Sequence, residues 1–354
     1  MKIVWSSFDG RYSDSPRALY EALRSRRDDL EHTWLAKAEH RSTFPDHATT
    51  VDAAGAEAVA ALEAADLVVA NTHVRLPWTK RAGATYVQTW HGTPLKTVHR
   101  DVLWAPDGLL DELDEDVAKW DLLLSPNPHS TRYLSQAFRW TGALLESGYP
   151  RNDVLSPPAH DERRAEVRAR LGIEDDRTVV LYAPTWRDEE GYDPSRPVPV
   201  RLDVEAFGAA LGEDHTLLVR AHNMVTGRWE VTGADWLQDV SIEPSDVADL
   251  YTAADVLITD YSSVMFDFAV TGRPILFLVA DLEQYASVTR GFYLDLWPQA
   301  PGPQLRDTDE VVAALRDLPA VEKEFSERYA AFAATYTSLE DGHATERVLD
   351  HLGL

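Results

Sequence analysis

"ADVLITDYSSVMFDFAVTGRPILFLVAD", residues 254–281, decides the fold. An apolar run ends at Thr259 and Asp260, Ser262 and Ser263 open a helical stretch at 263–271, and a Gly-Arg-Pro turn leads into a second apolar run. Strands that are apolar throughout, rather than alternating, belong to parallel sheets covered by helices on both faces. Working outward, "TVVLYAPTW" at 178–186 and "HTLLVRAH" at 215–222 repeat the strand signal, with helical stretches near 203–211 and 245–254. The first half has the same rhythm in "KIVWSS" (2–7), "ADLVVANT" (65–72), "TYVQTW" (85–90) and "DLLLSPN" (121–127), with helices at 14–27 and 56–65. Two such sets predict an α/β chain of two doubly wound, Rossmann-like domains facing across a cleft. Pro, Asn and charges cluster in "YPRNDVLSPPAHDERR" at 149–164, which places the expected boundary between domains 1–155 and 156–354. The stretch 308–352 reads as helical and charged.

The 354 residues suffice for two domains, and 44% hydrophobic content for two cores. Asp and Glu outnumber Lys and Arg by 59 to 34, a formal charge of -25. That argues against non-specific nucleic-acid binding, for which a basic face supplies most of the affinity, although net charge says nothing about how charge is distributed. With no cysteine, disulfides and thiolate metal sites are out, and the 12 histidines show no zinc spacing. "MKIVWSSFDG" lacks the long apolar core of a signal peptide, and no run reaches the ~18–20 residues of a spanning helix. The expected location is the cytoplasm, with any membrane contact peripheral, on the cytoplasmic face. The aromatic-basic candidates for such contact are two short overlapping stretches, "LPWTK" at 76–80 and "WTKRAG" at 78–83.

Ligands of open parallel sheets bind at the carboxyl ends of strands, and polar residues follow several of the runs. His91 stands after "TYVQTW", in "QTWHGTPLK" with Gly92, Thr93 and Lys96. It is either a placed proton acceptor or an incidental residue of a helix-starting turn. Ser262 and Ser263 open a helix; they serve as a cap, or they present free N–H groups to a phosphate or diphosphate. Asp267, one turn further on, braces the loop or meets a ligand hydroxyl. Arg220 and His222 share one face of a strand and suit a phosphate, unless Arg220 is a salt-bridged strand end. Arg187 after "YAPTW" is a phosphate candidate, and Trp186 reads more simply as packing. Arg151, in "SGYPRNDVL", belongs to a hinge, to the cleft, or to both. No Walker-type loop, G-x-G-x-x-G or G-x-S-x-G is present, which disfavours nucleoside triphosphatases, nicotinamide enzymes and serine hydrolases.

These words occur together in a known order. "TWHGTPLK", "GYPRND", "YAPTWR", "LVRAHN", "TDYSSVMFDFAVTGRPILF" and "LEQY" followed by "RGFYLD" resemble the CDP-glycerol glycerophosphotransferases, the teichoic acid primases and polymerases of bacterial cell walls, with related capsule polymerases. The resemblance spans about 89–295; the first ~85 residues carry no matching word. It implies a glycosyltransferase-B-type fold and transfer of glycerol phosphate, or a related polyol phosphate, from CDP-glycerol or CDP-ribitol to a hydroxyl of a lipid-linked or polymer acceptor, releasing CMP. It further implies catalytic roles for His91 and His222, and a nucleotide-diphosphate site from Arg187, Arg220, His222, Thr259, Asp260, Ser262 and Ser263. His91 is assigned as general base toward the acceptor and His222 to the diphosphate, with the two roles interchangeable on sequence grounds. Gly92, Thr93, Lys96, Arg151 and Asp267 complete the expected substrate site. No carboxylate cluster demands Mg²⁺, and basic groups suffice to neutralise the diphosphate, although the metal is compatible with this chemistry. The competing readings are a nucleotide-sugar glycosyltransferase of the same fold, with Asp260 and Asp267 at the sugar, and a binding module for anionic polymer without turnover.

Overall fold

A computed structural model describes residues 1–8, 10–174, 176–185, 201–220, 234–241, 246–282 and 291–354. Among these, thirteen strands form two sheets. The first contains β1 (Lys2–Ser6), β2 (Glu31–Ala36), β3 (Thr50–Asp52), β4 (Leu67–Ala70), β5 (Thr85–Gln88), β6 (Leu122–Ser125) and β7 (Ala143–Glu146), in the order β3-β2-β1-β4-β5-β6-β7. The second contains β8 (Thr178–Tyr182), β9 (His215–Val219), β10 (Leu237–Asp239), β11 (Val256–Thr259), β12 (Ile275–Leu278) and β13 (Gln304–Leu305), in the order β10-β9-β8-β11-β12-β13. Every pairing of these strands is parallel. The two doubly wound halves predicted from the alternating runs are therefore present.

The central strands are those written as apolar runs. Every residue of β4, β6, β9, β11 and β12 is buried. Each large aliphatic side chain so covered contributes about 1.5–3 kcal/mol relative to exposure. Helices then cover both faces. Asp14–Arg26 sends Leu19, Tyr20 and Leu23 into one side of the first sheet, and Ala56–Ala64 sends Ala58 and Leu62 into the other. The terminal stretch is three helices, Thr308–Arg316, Leu318–Tyr336 and Ala344–Leu352. The last returns to the first half, where Val348 and Leu349 join the core built on Ile3, Trp5 and Trp34.

In an open sheet the ligand crevice lies where strand order reverses. That point falls between β1 and β4 in the first sheet and between β8 and β11 in the second. Phe8 follows β1, Asn71 follows β4, Thr185 follows β8 and Asp260 follows β11. The halves are tied on both sides of the resulting cleft. On one side, Thr97 N–H donates to Gly291 O (3.0 Å), Tyr293 N–H donates to Leu95 O (2.9 Å), and Lys96 forms an antiparallel bridge with Phe292. On the other, Arg151 joins Asp14 to Asp267.

Candidate active site

His91 owes its position to a strained turn. Trp90 has φ +53°, the left-handed region that costs a bulky residue energy and persists only where neighbours hold it. Gln88 holds it: its side-chain oxygen accepts the Trp90 N–H (2.9 Å) and its amide donates to Thr72 O (3.1 Å). Thr89 hydroxyl donates to Trp90 O (3.0 Å). The His91 ring lies against Trp90, with centroids 4.1 Å apart, and meets the edge of Phe8 at 5.2 Å.

Its nitrogens are then distinguished. Nδ1 lies 2.5 Å from Asn71 O. A carbonyl only accepts, so Nδ1 carries the proton and Nε2 carries the free lone pair. Burial pushes the imidazole down to about 4, against the opposing pull of the Asn71 carbonyl and of Asp14. At cellular pH the ring is neutral, the form that a proton acceptor needs.

His91 lines a cavity of about 350 Å³ whose walls come from both halves. Gly92, Thr93, Pro94, Leu95 and Lys96 form one side, and Thr185, Tyr251, Ser262, Ser263 and Val264 form the other. The two serines precede the helix Val264–Phe268, yet neither hydroxyl caps it or bonds to a described residue. Simple capping therefore does not account for them. Gly92 packs so closely on this segment that a Cβ would lie 2.9 Å from Ser263 Oγ.

The other expected residues divide into two groups. Thr259 is fully buried and donates to Ala183 O (2.8 Å), and Asp260 accepts the Thr185 N–H (2.8 Å), so both brace the switch point of the second sheet. Arg220 stands just beyond β9 and donates to Val240 O (2.8 Å). Arg151 is 4% exposed and its guanidinium donates to Asp14 (3.0 Å) and Asp267 (2.9 and 3.1 Å). Burial opposes its charge, but the two carboxylates hold it protonated. Asn152 also donates to Asp267 (2.9 Å). Of the alternatives for this arginine, the hinge describes its bonding, although it also lines the cavity. His222 and Arg187 lie outside the described residues. Among the described residues no group of three His, Asp or Glu is arranged to hold a metal.

Residues that sequence reasoning overlooked are Asn71, which fixes the His91 tautomer, Phe8, which packs on its ring, and Asp14 and Tyr149, which meet Arg151. The one available signal for Asn71 and Phe8 was their place just after an apolar strand. The aromatic-basic stretch near 80 is committed internally: Trp78 is buried, Lys80 bonds Asp121, and Arg81 bonds Asp66. No described helix is long and apolar enough to cross a membrane.

Two Rossmann-like halves facing across a cleft, with the His91 turn of one against the serine segment of the other, are the architecture of the glycosyltransferase-B type. The chain belongs to the CDP-Glycerol:Poly(glycerophosphate) glycerophosphotransferase family, whose model matches residues 1–353. It is 37% identical to a teichoic acid glycerol-phosphate transferase of Staphylococcus aureus, over 98% of this chain and 91% of that one. It is 33% identical to a teichoic acid poly(glycerol phosphate) polymerase of Bacillus subtilis, over 98% of this chain but 48% of that one. Among solved structures, the wall teichoic acid polymerase TagF superposes with a TM-score of 0.92 at 34% identity, covering 99% of this chain and 88% of that one. That polymerase has also been solved with single histidine substitutions, one of them after a soak with CDPG.

Proposed function

We propose that the protein transfers glycerol phosphate from CDP-glycerol to a hydroxyl of a growing or lipid-linked polyol-phosphate acceptor and releases CMP. The observation that carries this reading is the His91 imidazole, neutral and with Nε2 unbonded among the described residues, in a cavity that Ser262 and Ser263 also line. The acceptor hydroxyl gives its proton to Nε2 as its oxygen attacks the β-phosphorus. The phosphoanhydride bond to the α-phosphate breaks, and CMP carries away that bond's electron pair. Phosphoryl transfer asks the protein chiefly for positioning and charge stabilisation. Those tasks fall to Ser262, Ser263, Lys96, Arg220 and, by motif position, Arg187 and His222. Thr259 and Asp260 shape the loop that holds the donor, and Gly92 and Thr93 shape the acceptor side. In this reading residues 1–155 supply the acceptor side and 156–354 the donor side.

Peripheral membrane contact fits the exposed pair Leu103 and Trp104, 72% and 73% exposed. They follow the strap 95–97 in sequence, and Leu103 lies beside Gly291. Acidic neighbours from Asp101 to Glu115 make an uncharged interfacial anchor the better description than an anionic-lipid contact.

The test is incubation of the full chain with CDP-glycerol, and in parallel with CDP-ribitol, plus a lipid-linked acceptor, with products weighed by mass spectrometry. Addition of glycerol-phosphate units with stoichiometric CMP supports the proposal. CMP release without acceptor elongation, or turnover of a nucleotide sugar in its place, refutes it.

A further inference from the structure

Tyr149 stands between the interdomain clamp and the His91 turn. It is 1% exposed. Its ring lies under the Arg151 guanidinium, 4.1 Å from centroid to carbon, and its hydroxyl accepts the Gly92 N–H at 3.1 Å. Its own backbone N–H donates to the Glu340 carboxyl at 3.0 and 3.3 Å. Arg151 in turn takes Asp14 from the first half and Asp267 from the second. Asp14 is itself in the left-handed region, φ +64°, and donates its N–H to Asp246 of the second half at 2.9 Å. A continuous chain of contacts, hydrogen bonds joined by one cation–π contact, therefore runs from carboxylates in both halves, through Arg151 and Tyr149, to the residue next to His91.

The far end of that chain is tight. Gly92 has no side chain, and the space where one would begin is already occupied by Ser263 Oγ. The Gly92 N–H thus fixes how far the His91 turn stands from the serine segment. A hydroxyl on a ring packed under a buried guanidinium is a stiff partner for that N–H, because the cation sits over the ring face and is held by two buried carboxylates.

We infer that Tyr149 is a positioning residue for the transfer. It relays the closed arrangement of the two halves to the His91 imidazole and sets the gap between that ring and the serines opposite. Arg151 is the anchor of this relay rather than a phosphate ligand. The inference rests on the reading of His91 as the proton acceptor. It predicts that loss of one hydroxyl, remote from the substrate, slows the chemical step without weakening the donor's hold.

The experiment uses the full chain and its Y149F variant, which keeps the ring under Arg151 and deletes only the acceptor of the Gly92 N–H. Expected is a kcat loss of about 10–100-fold, the scale of a small misplacement of reacting groups, with KM for CDP-glycerol and the melting temperature close to the parent's. A smaller loss, or one carried by KM, overturns the inference. If Y149F does not fold, R151K is read by the same split, since it keeps the charge but not the fork that spans both carboxylates. The imidazole ¹⁵N resonances of His91, assigned by comparison with H91N, give a readout without turnover. Y149F must shift them, and unchanged resonances overturn the inference. A parent that binds CDP-glycerol but transfers nothing counts against the proposed reaction, and the resonances still decide the role of Tyr149.

Discussion

The α-carbon of Gly92 faces the hydroxyl of Ser263 across the cleft, so that a methyl group at position 92 would lie 2.9 Å from Ser263 Oγ and 3.3 Å from its Cβ. Gly92 of "HGTPLK" and Ser263 of "DYSS" have 170 residues between them in sequence (263 − 92 − 1) and meet in space. The candidate proton acceptor and the candidate diphosphate cradle are thus a single contact surface.

Gly92→Ala therefore pushes the His91 turn away from the serines. We expect a kcat loss of about 10–100-fold, from displaced reacting groups. Adding Ser263→Ala removes the colliding hydroxyl, and the double variant should recover part of the loss. Steady-state kinetics of the two single variants and the double variant measure the coupling. Losses that simply multiply would show that the contact does not matter to turnover.

The pH dependence of kcat/KM reports groups of the free enzyme. Burial pushes His91 down to about 4, so its proton-accepting form persists well below the ordinary histidine value of 6.5. Lowering the pH through 6.5 should leave kcat/KM nearly level as far as His91 is concerned, with its loss approaching only near 4. A full protonation limb at 6.5 that disappears in His91→Asn would contradict this placement.

Glu340 carries the opposite signature. Burial pushes its carboxyl up to about 8 from an ordinary 4.5, while its oxygens accept the Tyr149 N–H. Between those values the folded chain holds a proton that the unfolded chain releases, so folding stability falls as pH rises through the window and levels off above it. Glu340→Gln removes this slope. Melting temperatures across the window should decline with pH in the parent and decline less in the variant. Parallel curves would show that Glu340 titrates normally.

Much of the architecture was legible because buried parallel strands leave continuous apolar runs. β1, β4, β5, β6, β8, β9, β11 and β12 all lie within runs recognisable as text. The strands that left no such mark are β2, β3, β7, β10 and β13, short or part-exposed, with β3, β7, β10 and β13 at the sheet edges and β2 next to one. His91 and the serines were legible because strand-end position is itself a signal. The partners of Arg151 were not. Asp14 lies 137 residues before it and Asp267 lies 116 after it, and no local pattern records that one guanidinium will join them. The same holds for Asn71, whose contribution to His91 comes from a main-chain carbonyl that any residue could supply. Thr259 shows a further limit of strand-end position as a signal: its hydroxyl turns inward to bond Ala183 O, a contact that no local pattern records.

The central claim is that His91 is the group that takes the acceptor's proton. Its most direct test is turnover of CDP-glycerol by His91→Ala, paired with calorimetric binding of CDP-glycerol to the same variant. The account predicts a kcat loss of about 10²–10⁴-fold, the usual contribution of a general base, with the donor's affinity retained. A loss below about tenfold, or donor binding that collapses with the imidazole, would contradict it.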